Sequence, residues 1–122
     1  MSDPLSRVLG PLEADVMQVM WAADAPLGVR AVLDRLNADR GAPLAYTTVM
    51  TVMARLAEKD ILRRRLDGRG YLYEAVVRDA AAIAVRGVVR DFGDAALAQF
   101  VDQARADPKL RRRLRDLLRD EP

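Results

Sequence analysis

Three threonines and one arginine recur within a short segment at spacings that would place them together on one helix. In AYTTVMTVMARLAEKDIL, residues 45–62, four apolar residues have the i, i+3, i+4, i+7 spacing of a buried helix face: Val49, Val52, Met53 and Leu56. Thr48, Thr51 and Arg55 follow nearly the same spacing on a different face. Because β-branched threonine is a poor helix former, its repetition on a face that should meet water suggests a binding role.

The chemistry of these side chains suits contact with double-stranded DNA. A threonine hydroxyl can bind phosphate or a base edge, and its methyl group can contact the thymine methyl group. Arginine can bind guanine or phosphate bidentately. Thr47 and Thr48 fall in the first helical turn, where free N–H groups and the helix dipole attract phosphate. We therefore predict that Thr47, Thr48, Thr51 and Arg55 contact DNA; the alternative is a solvated face with incidental threonines.

Composition argues against catalysis. The chain has 122 residues, 51% hydrophobic and 31% charged, which indicates a globular protein. It has no cysteine and no histidine, so thiol nucleophiles, disulfides, thiolate metal sites and the commonest general base are all missing. No glycine-rich phosphate loop is present either. We expect a protein that is not an enzyme and has no cofactor and no metal site.

The chain also lacks the features of a secreted or membrane-spanning protein. Its first residues, MSDPLSRVLG, have neither a basic start nor a long apolar run, so they do not resemble a signal peptide. No apolar stretch approaches the length that would cross a bilayer. We therefore expect a cytoplasmic protein.

Positive charge is concentrated after residue 45. Residues 1–45 carry four arginines and six acidic residues, whereas residues 46–77 carry six basic and four acidic residues. Part of this charge lies in ILRRRLDGRGYLYEAVV, where the Asp67-Gly68 turn signal between β-forming residues predicts a hairpin. Arg69 lies in the turn and is predicted to reach a phosphate or the minor groove. For Arg64, DNA contact and the protection of an edge strand by charge remain equally open.

The order of the elements predicts the fold class. Helical patterns in GPLEADVMQVMW and VRAVLDRLNADRG precede the threonine helix, and the hairpin follows it. Three helices and a hairpin are the order of a winged helix-turn-helix domain, predicted for residues 1–77. Helical patterns return in residues 78–122, predicted to be a helical dimerisation domain. The fold class is thus mainly α with a small β-hairpin.

These motifs resemble the penicillinase-repressor family of bacterial winged-helix repressors, which includes β-lactamase, methicillin-resistance and copper-transport repressors. The similarity covers AYTTVMTVMARLAEKDIL, the basic hairpin, LGPLEADVMQVMW and FGDAALAQFV, which is nearly the whole chain. It implies a homodimer that binds an inverted-repeat DNA operator and represses the adjacent genes, in a β-lactam or cell-envelope stress response. It also implies that the threonine helix and Arg69 contact that DNA.

Two apolar stripes near the end of the chain fit the family's dimerisation domain. Their members with predicted dimer contacts are Leu97, Phe100, Val101, Leu110, Leu114 and Leu117. Helices this short cannot bury both stripes within one subunit, so a second copy is the simplest partner. The alternative is a cap of three helices packed within one chain.

Two departures from the family concern how repression ends. Copper-responsive members carry a C-terminal cysteine cluster, which is missing here. In β-lactam-responsive members a membrane sensor protease, or a protease downstream of it, leads to cleavage at an Asn-Phe bond in the dimerisation helix. The matching position here reads Gln99-Phe100, and the resemblance makes this bond the candidate proteolytic site.

Two other functions compete with the dimeric repressor. A winged-helix regulator could be gated by a small molecule bound directly, since an apolar pocket needs no sequence motif. A winged-helix module could instead bind a protein through the hairpin and the threonine face. A steep loss of affinity with rising salt would distinguish DNA binding from protein binding.

Overall fold

The computed structural model describes residues 3–120, so residues 1–2 and 121–122 of the two predicted domains lie outside the description. Within residues 3–120, a short 3-10 turn, Pro4–Arg7, precedes six α-helices and one hairpin. The elements are α1 Pro11–Ala23, α2 Val29–Asn37, α3 Tyr46–Glu58, β1 Leu62–Asp67, β2 Gly70–Ala75, α4 Ala80–Phe92, α5 Asp94–Ala106 and α6 Pro108–Arg119. The predicted fold class, mainly α with a small β-hairpin, is confirmed.

The chain divides into two compact units, Met1–Arg86 and Gly87–Pro122. The division falls within α4, at a later residue than the predicted limit of 77, and the domain limits themselves stay a prediction. No helix among residues 3–120 combines the length and apolarity that a bilayer span requires.

Helix α1 begins as the sequence indicates. Pro11 occupies its first position, where no N–H is needed. The Glu13 carboxylate accepts a hydrogen bond of 3.2 Å from the Gly10 N–H, which closes the first turn. The face that α1 buries includes Val16 and Met20. The helix ends at Ala23, and the next residue, Asp24, has a left-handed backbone (φ 49°) that stops it.

Helix α2 buries the four apolar residues that its periodicity selects: Val29, Val32, Leu33 and Leu36. The loop that leads to α3 is fixed by Asn37. Its amide nitrogen donates to the Leu44 carbonyl at 3.2 Å, and its amide oxygen accepts from the Leu44 N–H at 2.8 Å. Asn37 thus satisfies both backbone groups of Leu44 and holds the loop just before α3.

The hairpin pairs β1 and β2 antiparallel, from Leu62 opposite Ala75 to Asp67 opposite Gly70. Gly68 and Arg69 form its two-residue tip, and Gly68 takes a positive φ of 65° that glycine adopts without strain. Leu27, in the loop before α2, exchanges two backbone hydrogen bonds of 2.8 Å with Tyr73. This bridge attaches the hairpin to the helices.

The core of the first unit lies between α1, α2, α3 and the base of the hairpin. It includes Met17, Met53, Leu62 and Tyr73, all nearly without solvent exposure. Trp21 adds a directional contact, because its indole N–H donates to the Val77 carbonyl at 2.8 Å. The hairpin and the helices therefore form one packed body.

The second unit buries far less. Helices α5 and α6 contact one another, and Ala104 is the buried apolar residue of α5. Leu110 and Leu114 are half-buried. The large apolar side chains of this unit that remain exposed are Val88, Val89, Phe92, Leu97, Phe100, Val101, Leu117 and Leu118. A single copy of the chain thus leaves both predicted stripes partly in water.

Candidate nucleic-acid interface

Helix α3 has one buried face and one polar face, as the sequence pattern predicts. Val49, Met53 and Leu56 are fully buried, and Val52 is partly buried against the same core. The predicted contact residues all lie exposed on the opposite side of the helix: Thr47, Thr48, Thr51 and Arg55. The core thus anchors α3 and presents these four side chains together to solvent.

The first turn of α3 is open to an anion. Ala45 occupies the capping position before Tyr46 and has no polar side chain to accept from the first-turn N–H groups. Thr47 and Thr48 follow in that turn, so their hydroxyls lie beside the positive end of the helix dipole. This combination suits a DNA phosphate, which would accept from the backbone and from a threonine.

Arg30 is a residue of this surface that sequence reasoning missed. Its guanidinium carbon lies 5.3 Å from the centroid of the Tyr46 ring, the first residue of α3. Arg30 belongs to the first turn of α2 and is exposed. Because 16 positions separate it from Tyr46, no local pattern pairs the two residues. The packing of α2 against α3 brings a cation to the edge of the threonine face.

The hairpin presents Arg69 at its tip. Asp67 pairs with Gly70, so Arg69 lies in the two-residue turn, and its side chain is exposed. No ion pair within residues 3–120 involves Arg69 or Arg55. Within this part of the chain no carboxylate competes with a partner for either guanidinium.

Arg64 is held in place by two tyrosines. Its guanidinium carbon lies 4.4 Å from the centroid of the Tyr71 ring, and Nη1 donates a long hydrogen bond of 3.5 Å to the Tyr73 hydroxyl. That hydrogen bond raises the pKa of Arg64. Tyr73 is buried in the core, whereas Tyr71 is exposed and its ring lies against Arg64. The arrangement orients Arg64 but leaves its role in DNA binding a prediction.

Two other basic side chains near the hairpin, Arg63 and Lys59, form ion pairs. Arg63 forms an ion pair of 2.6 Å with Glu74 on the opposite strand, and this hydrogen bond lowers the pKa of Glu74. Lys59, just after α3, forms an ion pair of 3.0 Å with Glu13 of α1. The cations without a carboxylate partner are therefore a smaller set than the sequence count suggests.

The predicted cleavage site lies within helix α5. Gln99 and Phe100 lie in the middle of α5, and both are exposed in the single chain. The bond between them is nevertheless part of a helix, which must open locally before a protease can bind it in extended form.

Three packed helices, of which the third has an exposed polar face, and a basic hairpin make up the fold of a winged-helix transcriptional regulator of the DNA-binding type. Proteins of this class are not enzymes. Among residues 3–120 no acidic cluster could hold a metal ion. Residues 9–120 match the sequence model of the family described as "Penicillinase repressor". The chain belongs to the penicillinase repressor family, as the sequence motifs indicate, and is a transcriptional repressor.

Known relatives agree with this assignment. The chain is 42% identical over 118 residues to "Transcriptional regulator BlaI" of Mycobacterium tuberculosis strain CDC 1551 / Oshkosh, with 89% of this chain and 84% of the relative covered. The protein of the same name from strain ATCC 25618 / H37Rv matches equally. The complex structures of hsRosR-S4 and hsRosR-S1 share 19% identity with the chain, at TM-scores of 0.53 and 0.52. They cover 97% and 98% of this chain and 95% of their own, and they support the fold alone.

Proposed function

We propose that the protein is a homodimeric repressor that binds an inverted-repeat operator through α3 of each subunit. The observation that carries this proposal is the polar face of α3: Thr47, Thr48, Thr51 and Arg55 are exposed together while Val49 and Met53 anchor the helix from behind. The Arg69 tip adds a phosphate or minor-groove contact beside the major groove. A two-fold dimer presents two equal reading helices, which requires a two-fold operator.

The exposed apolar residues of α5 and α6 support the dimer. Leu97 is 64% exposed, Phe100 46% and Leu117 51%. Leaving such side chains in water is unfavourable, and a second copy can cover them with its own identical stripe. Val101, Leu110 and Leu114 complete the proposed interface.

We assign the repressor to a β-lactam or cell-envelope stress response, on the strength of its family and of the BlaI relatives. Induction would proceed by cleavage between Gln99 and Phe100, carried out by a membrane sensor protease or by a protease downstream of it. The cut would separate Leu97 from Val101 within one helix and so divide the dimer stripe. Loss of the dimer would remove the gain in affinity that comes from linking the α3 helices of two subunits, commonly a factor of about 10²–10⁴.

Mapping of bound DNA across the genome, followed by footprinting, tests the operator. We expect protected sites with two-fold symmetry and half-site centres about 10–21 base pairs apart. A protected site without a repeat, occupied by one chain per duplex, would contradict the proposal.

Induction is tested by immunoblotting after treatment of cells with a cell-wall antibiotic. We expect a shortened band that appears as the target genes are switched on. An intact band while those genes switch on would contradict cleavage and favour a directly bound ligand.

A further inference from the structure

Helix α6 is a defined, capped element rather than a charged tail. One Asp107 carboxylate oxygen, Oδ1, accepts hydrogen bonds from the Lys109 and Leu110 N–H groups at 3.0 and 3.2 Å. Pro108 occupies the first helical position. This cap fixes the start of the helix and therefore fixes which side chains share each of its faces.

The charge of α6 is strongly unbalanced. Between Pro108 and Arg119 the helix carries five arginines, one lysine and a single acidic residue, Asp116. All of the basic side chains are exposed, and no ion pair within the described part of the chain includes any of them. The proposed DNA-binding and dimer contacts use none of this charge.

The arginines form a row. Arg111, Arg115 and Arg119 are four residues apart, so they follow one side of the helix, beside the leucine stripe of Leu110 and Leu114. At a rise of about 1.5 Å per residue the row is about 12 Å long. Along a DNA strand this length corresponds to about three to four phosphates, at about 3.4 Å of axis each.

Helix stability accounts for Arg119, which lies in the last turn where a cation is favourable, but not for Arg111 or Arg115. Like charges four residues apart repel each other. Arg111 also lies near the positive end of the helix dipole, where a cation is unfavourable. An external polyanion would relieve both effects. Guanidinium groups bind phosphate bidentately and lose hydration more readily than lysine, which favours a phosphate backbone over an arbitrary acidic surface.

We propose that the row Arg111, Arg115 and Arg119 of α6 is a second contact surface for DNA, one that binds the phosphate backbone without reading sequence. This inference rests on the proposed function in one respect only, that DNA is the ligand of this protein. It assigns to the C-terminal unit a role in DNA affinity in addition to dimerisation. Operator preference would stay with α3, because backbone contacts carry no sequence information.

The test compares two full-length variants with equal charge changes. The row variant is Arg111→Gln, Arg115→Gln and Arg119→Gln; the control variant is Arg105→Gln, Lys109→Gln and Arg113→Gln, which removes three charges outside the row. Glutamine is a good helix former, so α6 should be preserved in both. Affinity for duplex DNA of random sequence is measured at several salt concentrations.

For the row variant we expect the slope of log affinity against log salt to fall in magnitude by about 2.7 for each chain in contact, since each lost phosphate contact removes about 0.9. The control should keep the wild-type slope, and the ratio of operator to random affinity should be equal in both variants. A single Arg115→Gln change should lower the slope by about 0.9 and serves as a milder variant, with dimer content verified by sedimentation.

Equal slopes for row variant and wild type would overturn the inference, as would equal reductions in row and control variants. The inference would also be overturned, in favour of a lipid surface, if the row variant kept the wild-type DNA slope but no longer bound vesicles of phosphatidylcholine and phosphatidylserine that the wild type binds. Failure of the proposed function is separate: the wild-type protein would then show no preference for any operator, whatever the slope on random DNA.

Discussion

The guanidinium of Arg30 lies over the ring of Tyr46, with 5.3 Å between its central carbon and the ring centroid. The contact joins the first turn of α2 to the first residue of α3. A cation near the positive end of its own helix dipole gains nothing from that helix, so the aromatic face stabilises Arg30 where it is. The pair therefore places a cation at the start of α3, the helix that carries Thr47 and Thr48.

Removal of the Tyr46 ring should weaken DNA binding. A cation–π contact at an exposed site contributes about 0.5–1 kcal/mol, so Tyr46→Ala should lower operator affinity about 2- to 5-fold through a less ordered Arg30. Tyr46→Phe keeps the ring and should bind as the wild type does. Fluorescence anisotropy with operator DNA measures both, and equal affinities for the two variants would show that the ring has no such effect.

Arg55 and Arg69 should differ in what they contribute to DNA binding. If Arg55 reads a guanine, Arg55→Ala should cost about 1–3 kcal/mol on the operator and relax preference at one base pair per half-site. Arg69→Ala, at the hairpin tip, should weaken operator and random DNA alike and lower the salt slope by about 1. Competition binding with operators substituted base by base measures both effects. Equal losses on operator and random DNA for Arg55→Ala would assign Arg55 to a phosphate.

Two methionines of α3 provide a matched test of its orientation. Met53 is fully buried and Met50 is 41% exposed. Met53→Ala should lower the free energy of unfolding by about 2–5 kcal/mol, because it leaves a cavity in the core. Met50→Ala should change it by about 0.5 kcal/mol or less. Urea denaturation followed by circular dichroism gives both values, and similar values for the two variants would contradict the assigned faces.

The ion pair of Arg63 and Glu74 predicts a response to acid. Hydrogen bonding from Arg63 lowers the pKa of Glu74 in the folded protein. The pair therefore stabilises the hairpin above the ordinary glutamate pKa of about 4.3, and this contribution is lost as the pH falls through the folded value. Arg63→Met should raise the pKa of Glu74 toward its ordinary value, as measured by a carbon NMR titration of the carboxyl group. Arg69→Met, at the hairpin tip, is the control and should leave that pKa unchanged.

Charge placed on the apolar stripe of α5 should separate the proposed dimer. Leu97→Asp combined with Phe100→Asp would bury carboxylates in the interface, at a cost of several kcal/mol. Ala95→Asp is the control and should remain dimeric, because Ala95 is exposed and, two residues before Leu97, lies on the opposite side of α5. Sedimentation velocity distinguishes the two outcomes. A wild-type protein that is monomeric at micromolar concentration would refute the dimer itself.

The sequence alone was sufficient for the features that depend on local spacing. The 3.6-residue period selects Val29, Val32, Leu33 and Leu36, and all four are buried. The same period separates Thr51 and Arg55 from Met53 on α3. The Asp67-Gly68 signal locates the hairpin tip because few residue pairs suit so tight a turn. Each of these inferences uses neighbours within about one or two helical turns or one hairpin.

Only the tertiary structure decided which charges remain available to a partner. Lys59 and Arg63 look equivalent to Arg55 and Arg69 in the sequence, yet the first two are paired with Glu13 and Glu74. Lys59 and Glu13 are 46 positions apart, so their contact follows from the packing of α1 near the end of α3. The contact of Arg30 with Tyr46 arises in the same way, from the packing of α2 against α3. Such pairs depend on distances that the fold sets through space, and no periodicity along the chain encodes them.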